Sequence, residues 1–170
     1  MKIYESLEDY QPADNVVVTI GTFDGVHLGH KKLIKRVREA AAEIGGNSLI
    51  LTFFPHPRMI LYPEEHGVSL LNTVREKQEL LEAESIDHLV IQAFTPEFAS
   101  ISSHDFIRKI LVEKLRTQRL IIGYDHRFGK NREGSFDDLV KGAAEFGYSV
   151  EKIEEEDVND IAVSSTRIRK

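Results

Sequence analysis

Residues 16–30, VVVTIGTFDGVHLGH, constrain this chain more than any other stretch. Val16, Val17, Val18, Thr19 and Ile20 are β-branched and almost wholly apolar, the character of a strand buried on both faces. Gly21 ends the run, polar residues and two further glycines follow, and an amphipathic helix pattern opens at His30. A buried strand, a tight turn and a helix N-terminus together suit an anion, because first-turn N–H groups lack backbone partners and carry partial positive charge. Gly25 and Gly29 permit close backbone approach. His27 and His30, three apart, can both face whatever lies over that helix end, where imidazole can donate to a phosphate oxygen or carry charge to it. The pattern is neither a P-loop (GxxxxGK, then Ser or Thr) nor the dinucleotide fingerprint GxGxxG; histidines occupy the place of the P-loop lysine.

The remaining sequence is that of an ordinary globular protein. Its 170 residues fit one domain with a sizeable core, at 41% hydrophobic and 29% charged residues. Absence of cysteine excludes disulfides and thiolate zinc sites and is compatible with a reducing cytoplasm. No apolar run approaches the roughly 18 residues of a membrane span, and MKIYESLEDYQ lacks a signal-peptide core, so no membrane role is expected. A net charge of −6 argues against a general nucleic-acid binder, so an anionic ligand must meet local positive charge.

In order, residues 1–15 read as a short strand or arm and a loop, and 16–21 as the first principal strand. The helix from His30 to Ile44 places Leu33, Ile34, Val37, Ala41 and Ile44 on one face, with Gly45 and Gly46 as its stop. Lys35 and Arg38 read as a solvated face, while Lys31 and Lys32 are open between that and the anion site. The second strand, 48–53, leads into Phe54-Pro55-His56-Pro57, predicted as an extended, rigid turn at a strand's carboxyl end, where open α/β sheets bind ligands. Residues 59–72 form a poorly periodic insertion. Thr73 and Glu76 make a capping box for a helix to about Ser85. A strand at 88–92, a loop at 94–98, a helix at 103–116 and a strand at 119–123 follow. The next loop, Gly123 to Arg132, clusters three basic residues, and Asp125 there is a ligand-hydroxyl partner, a metal ligand or a turn carboxylate. A helix from Ser135 to Phe146 and a strand at 148–153 precede an acidic loop at 154–157. Ser164-Ser165-Thr166-Arg167 resembles a second helix N-terminus, with hydroxyl caps and a bidentate phosphate donor; the helix has no room to continue, implying a longer parent protein or a terminal stub. His66, His88 and His104 read as surface or capping residues. The β-α alternation predicts an α/β fold with a doubly wound, five-stranded parallel sheet.

GTFDGVHLGH, FFPHPR, GYDHRFG and SSTRIR, in this order over nearly the whole chain, resemble the FMN adenylyltransferase (FAD synthetase) module of bacterial bifunctional riboflavin kinase/FMN adenylyltransferases. The first and last motifs are shared more widely by HxGH nucleotidyltransferases; the middle two make the resemblance specific. It implies a Rossmann-like nucleotidyltransferase fold and the reaction of ATP with FMN to give FAD and pyrophosphate, with Mg2+ accompanying ATP and no dedicated protein metal site assigned. By resemblance, His27, His30 and Arg167 are the catalytic groups on the phosphates. Gly21, Thr22, Phe23, Asp24, Gly25 and Gly29, with Ser164, Ser165 and Thr166, bind ATP. Phe54, Pro55, His56, Pro57, Asp125 and Phe128 hold or organise the flavin. His126 departs from the aromatic many relatives carry. A riboflavin kinase domain is expected beyond Lys170 in the parent chain. Other phosphate-ester acceptors, or a nucleotide-binding regulatory module without turnover, are the alternatives.

Overall fold

The computed structural model describes residues 1–64 and 69–154, together with the backbone of 157–158 and 161–162. Its centre is β2 (Val16–Ile20), every residue of which is buried. β3 (Asn47–Phe54), β4 (His88–Ala93) and β1 (Lys2–Tyr4) lie on one side, and β5 (Thr117–Gly123) and β6 (Ser149–Ile153) on the other. The order is β1-β4-β3-β2-β5-β6, parallel throughout. The sheet therefore has six strands rather than the five predicted. The sixth is β1, whose three residues pair only with β4 and are too few for alternation to be legible.

Alternate residues of the strands face two helical layers, as the pleat requires. Val17, Ile50, Leu89 and Ile121 pack with α1 (Leu28–Glu43) through Leu33, Ile34, Val37, Ala40 and Ala41, and with α3 (Val74–Ala83) through Leu81. Val16, Val18, Leu49, Leu51, Leu120 and Ile122 face the other layer. There the short α5 (Ser103–Asp105) continues as a π-helical segment, Phe106–Lys114, and α6 (Phe136–Phe146) adds Leu139. Two short helices, α2 (Pro57–Leu61) and α4 (Pro96–Ala99), flank the sheet's carboxyl edge. An antiparallel pair, β7 (Asp157–Val158) and β8 (Ile161–Ala162), follows β6.

The topology explains where a ligand belongs. From β2 the chain steps outward to β3 and β4, then crosses back to β5 on the opposite side, so the winding reverses between β2 and β5. Open α/β sheets bind ligands outside the strand carboxyl ends at that reversal.

Two local expectations change. The Phe54–Pro57 segment is not uniformly extended: the Phe54–Pro55 peptide is cis, and Pro57 opens α2, because its ring pre-sets a helical φ where no N–H partner is needed. His88 is buried rather than superficial, at the start of β4 between Tyr4 and Tyr10, with ring centroids 6.0 and 6.1 Å away. His104 is exposed as expected and faces Glu145 at 3.6 Å; His66 lies outside the described residues.

Candidate active site

A cavity of about 790 Å³ opens at the switch point, lined by the ends of β2, β3, β5 and β6 at Ile20, Phe53, Gly123 and Ile153. The sequence-nominated residues brought to it are Gly21, Thr22, Phe23, His27, Gly29, His30, His56, Pro57, Asp125 and Phe128. Asp24, Gly25, Phe54 and Pro55 do not line it. Ser164, Ser165, Thr166 and Arg167 lie outside the described residues.

His27 is the N-cap of α1, its extended backbone (φ −72°, ψ 177°) preceding the first helical residue. Its Nδ1 accepts the backbone N–H of His30 at 3.3 Å. A neutral imidazole that accepts at Nδ1 carries its proton on Nε2, so that nitrogen is the donor. The His30 ring stacks on His27 with centroids 3.6 Å apart and planes 17° apart, and its other neighbour is Phe23 at 5.0 Å. Burial, reinforced by the adjacent His27, pushes the His30 imidazole down to about 3, and burial lowers His27 as well. At neutral pH both present N–H donors without net charge. The His30 Nδ1 is buried and has no hydrogen-bond partner among the described residues.

The turn between β2 and α1 is held from outside. Phe23, Gly25 and Val26 all have positive φ (50°, 83° and 38°), a conformation that costs energy for residues with a Cβ and persists only where the surroundings impose it. The buried Asp24 carboxylate accepts the backbone N–H groups of Leu71 (2.9 Å) and Asn72 (3.2 Å), just ahead of α3. Lys77 of α3 donates its Nζ to the Thr22 carbonyl at 2.7 Å, and Thr52 Oγ1 donates to the same oxygen at 3.1 Å. Asp24 therefore fastens the turn, and glycine suits position 25 because a φ of +83° strains a residue with a Cβ, which would also press on the Leu71 side chain. Lys31, open between two roles in the sequence, pairs with Glu84 at 3.3 Å.

The opposite wall is aromatic. Phe53, Phe94, Phe98, Phe106 and Phe128 form a chain of successive edge-on or tilted contacts, with centroids 5.3–6.3 Å apart. Only Phe128 of these was nominated from sequence. The others come from separate elements, and topology alone brings them together. Phe54, by contrast, is 47% exposed and off this wall.

A histidine-capped helix N-terminus and an aromatic wall facing one another at the switch point of a parallel sheet define the ligand site of a doubly wound α/β domain. Residues 9–167 match the FAD synthetase family, and the chain belongs to that family. It is 34% identical over 170 residues to the bifunctional riboflavin kinase/FMN adenylyltransferase of Pseudomonas fluorescens, covering 99% of this chain and 54% of that protein. The protein of the same name in Escherichia coli K12 is 32% identical over 158 residues, 93% of this chain and 50% of its own length. The chain thus spans about half the length of these curated relatives. Among solved structures, a Streptococcus pneumoniae protein described as a macrolide-efflux protein aligns with a TM-score of 0.85 at 24% identity, over 99% of this chain and 55% of the other. The pantothenate synthetase of Thermus thermophilus aligns with a TM-score of 0.67 at 16% identity, over 99% and 67%. At these identities the likeness is one of fold.

Proposed function

We propose that this chain is an adenylyltransferase: it transfers AMP from ATP to the phosphate of FMN, forming FAD and releasing pyrophosphate. The observation that carries this reading is the stacked His27–His30 pair at the α1 N-terminus, facing an aromatic wall across one cavity. The first suits a polyphosphate, and the second suits a flat conjugated ring system.

An FMN phosphate oxygen attacks the α-phosphorus of ATP, the bond from that phosphorus to the β-phosphate bridging oxygen breaks, and pyrophosphate leaves with the electron pair. Such transfers depend on positioning and electrostatic stabilisation, and no nucleophilic side chain is required. His27 Nε2–H and His30 donate to phosphate oxygens as charge grows on them, a contribution that can reach several kcal/mol. The positive end of α1 acts in the same direction. Arg167, with Ser164, Ser165 and Thr166, is assigned to the phosphates by family resemblance. The described residues hold no group of three or more His, Asp or Glu side chains suited to a metal ion. Mg2+ is assigned to the triphosphate as part of the substrate, as the family resemblance implies.

The parent protein is proposed to join this domain to a riboflavin kinase domain, as the relatives' names describe. A cytoplasmic location agrees with the cysteine-free composition, and none of the described helices is long and apolar enough to cross a membrane. An acceptor screen tests the substrate assignment. With Mg2+ and ATP, FMN is expected to yield a dinucleotide, while nicotinamide mononucleotide and phosphopantetheine yield none. A better turnover with either of those would overturn the assignment.

A further inference from the structure

We infer that Arg127 and Arg132, on the loop after β5, form the subsite that grips the acceptor's terminal phosphate. This rests on the adenylyl-transfer reading and adds the residues that select a phosphorylated acceptor. The reaction brings two anions into one cavity. A phosphate monoester alone carries between one and two negative charges at neutral pH, and the histidine pair facing ATP is neutral. Among the described residues lining the cavity, the permanent cations are Arg58, Arg127 and Arg132. Arg58 is engaged with another group, whereas no hydrogen bond or ion pair joins the Arg127 or Arg132 guanidinium to any described residue; the backbone N–H of Arg132 donates to the Gly129 carbonyl at 3.0 Å. A guanidinium fork matches phosphate oxygens two at a time.

The loop carrying them is built rather than loose. Phe128 and Gly134 pair as an antiparallel bridge, and the Lys130 N–H reaches the Ile101 carbonyl at 2.7 Å. Gly129, at φ +76°, lies against Ser103, where a Cβ would come within 2.9 Å of Cα. Asn131 and Arg132 both hold positive φ (56° and 53°). Two consecutive non-glycine residues in that region mark backbone strain of the kind that clusters at ligand clamps. Behind them His126 stacks on Phe128 (6.0 Å, 15°), and its buried Nε2 has no hydrogen-bond partner among the described residues. It lines the same cavity, where a ligand oxygen can satisfy it.

Placement completes the case. β5 is the neighbour of β2 at the reversal, so a phosphate held on the β5 loop stands beside one held over α1. In-line transfer needs that adjacency.

The test compares FMN with riboflavin, which differ by the phosphate. Flavin fluorescence gives the Kd of each for wild type, Arg127→Gln and Arg132→Gln, and steady-state FAD formation gives KM for FMN and for ATP. We expect each substitution to raise the Kd and KM of FMN about tenfold or more, with riboflavin binding and the KM for ATP moving less than twofold. Equal weakening of FMN and riboflavin, no change in either, or a rise confined to the KM for ATP would overturn the subsite. Failure of the wild-type protein to make FAD would instead count against the underlying reaction, and the FMN–riboflavin binding difference would still decide the subsite.

Discussion

His27 and His30 lie face to face, ring centroids 3.6 Å apart, while the Nδ1 of the first caps the backbone N–H of the second. The cap fixes the helix start and the His27 tautomer, and the stack fixes the His30 ring over it. Truncating His30 removes a phosphate donor but leaves the cap and the strand–turn–helix path intact. His30→Ala is expected to lower kcat for FAD formation at least tenfold, with an unchanged far-ultraviolet circular dichroism spectrum. Wild-type turnover from the folded variant would remove His30 from the mechanism.

The low His30 value also makes stability depend on pH. The folded state holds this imidazole neutral to about 3, whereas in the unfolded chain it takes up a proton near 6.5. As pH falls through 6.5, the unfolded state binds the proton and the folded state does not, so stability is lost towards acid and unaffected above neutrality. Between pH 7 and pH 5 this amounts to about 2 kcal/mol for His30. Urea denaturation at both values reads it. The His30→Asn variant is expected to show a correspondingly smaller loss, and an identical loss would contradict the assignment.

Lys77 reaches from α3 to the Thr22 carbonyl, and Asp24 reaches from the turn to the backbone ahead of α3. The two links run in opposite directions and hold one turn. Lys77→Met, close in volume, is expected to cost about 2 kcal/mol of stability, in the range for a hydrogen bond from a charged donor, and to raise the KM for ATP more than that for FMN. Lys77→Arg should recover part of both. Equal effects on the two KM values would mean that Lys77 supports the fold without positioning the nucleotide turn.

Much of this was legible in the sequence because the relevant signals are local. The run Val16–Ile20, the α1 face built on Leu33, Ile34 and Val37, and the Thr73–Glu76 capping box each lie within a few residues, and each forms as expected. What escaped depends on distant partners. Lys77 has the sequence setting of a solvated helix lysine, and only the fold places Thr22 beside it. Phe94, Phe98 and Phe106 gain meaning as a wall once β4 and the π-helical segment meet the ends of β3 and β5. His88 is buried because β1 pairs with β4 and brings Tyr4 over it.

Gly25 combines a φ of +83° with close packing on Leu71. Gly25→Ala is therefore expected to destabilise the protein by about 1–2 kcal/mol, from left-handed strain and displaced packing together. Thermal denaturation would show a lower midpoint. An unchanged midpoint would mean that the turn relaxes to another conformation at no cost.

The most direct test is a single reaction of the purified chain with ATP, Mg2+ and FMN, in which FAD and pyrophosphate are quantified together. Adenylyl transfer at this site requires the two products in equal amounts, with FMN consumed one for one. A folded sample that yields neither, or that releases pyrophosphate without FAD, would contradict the account.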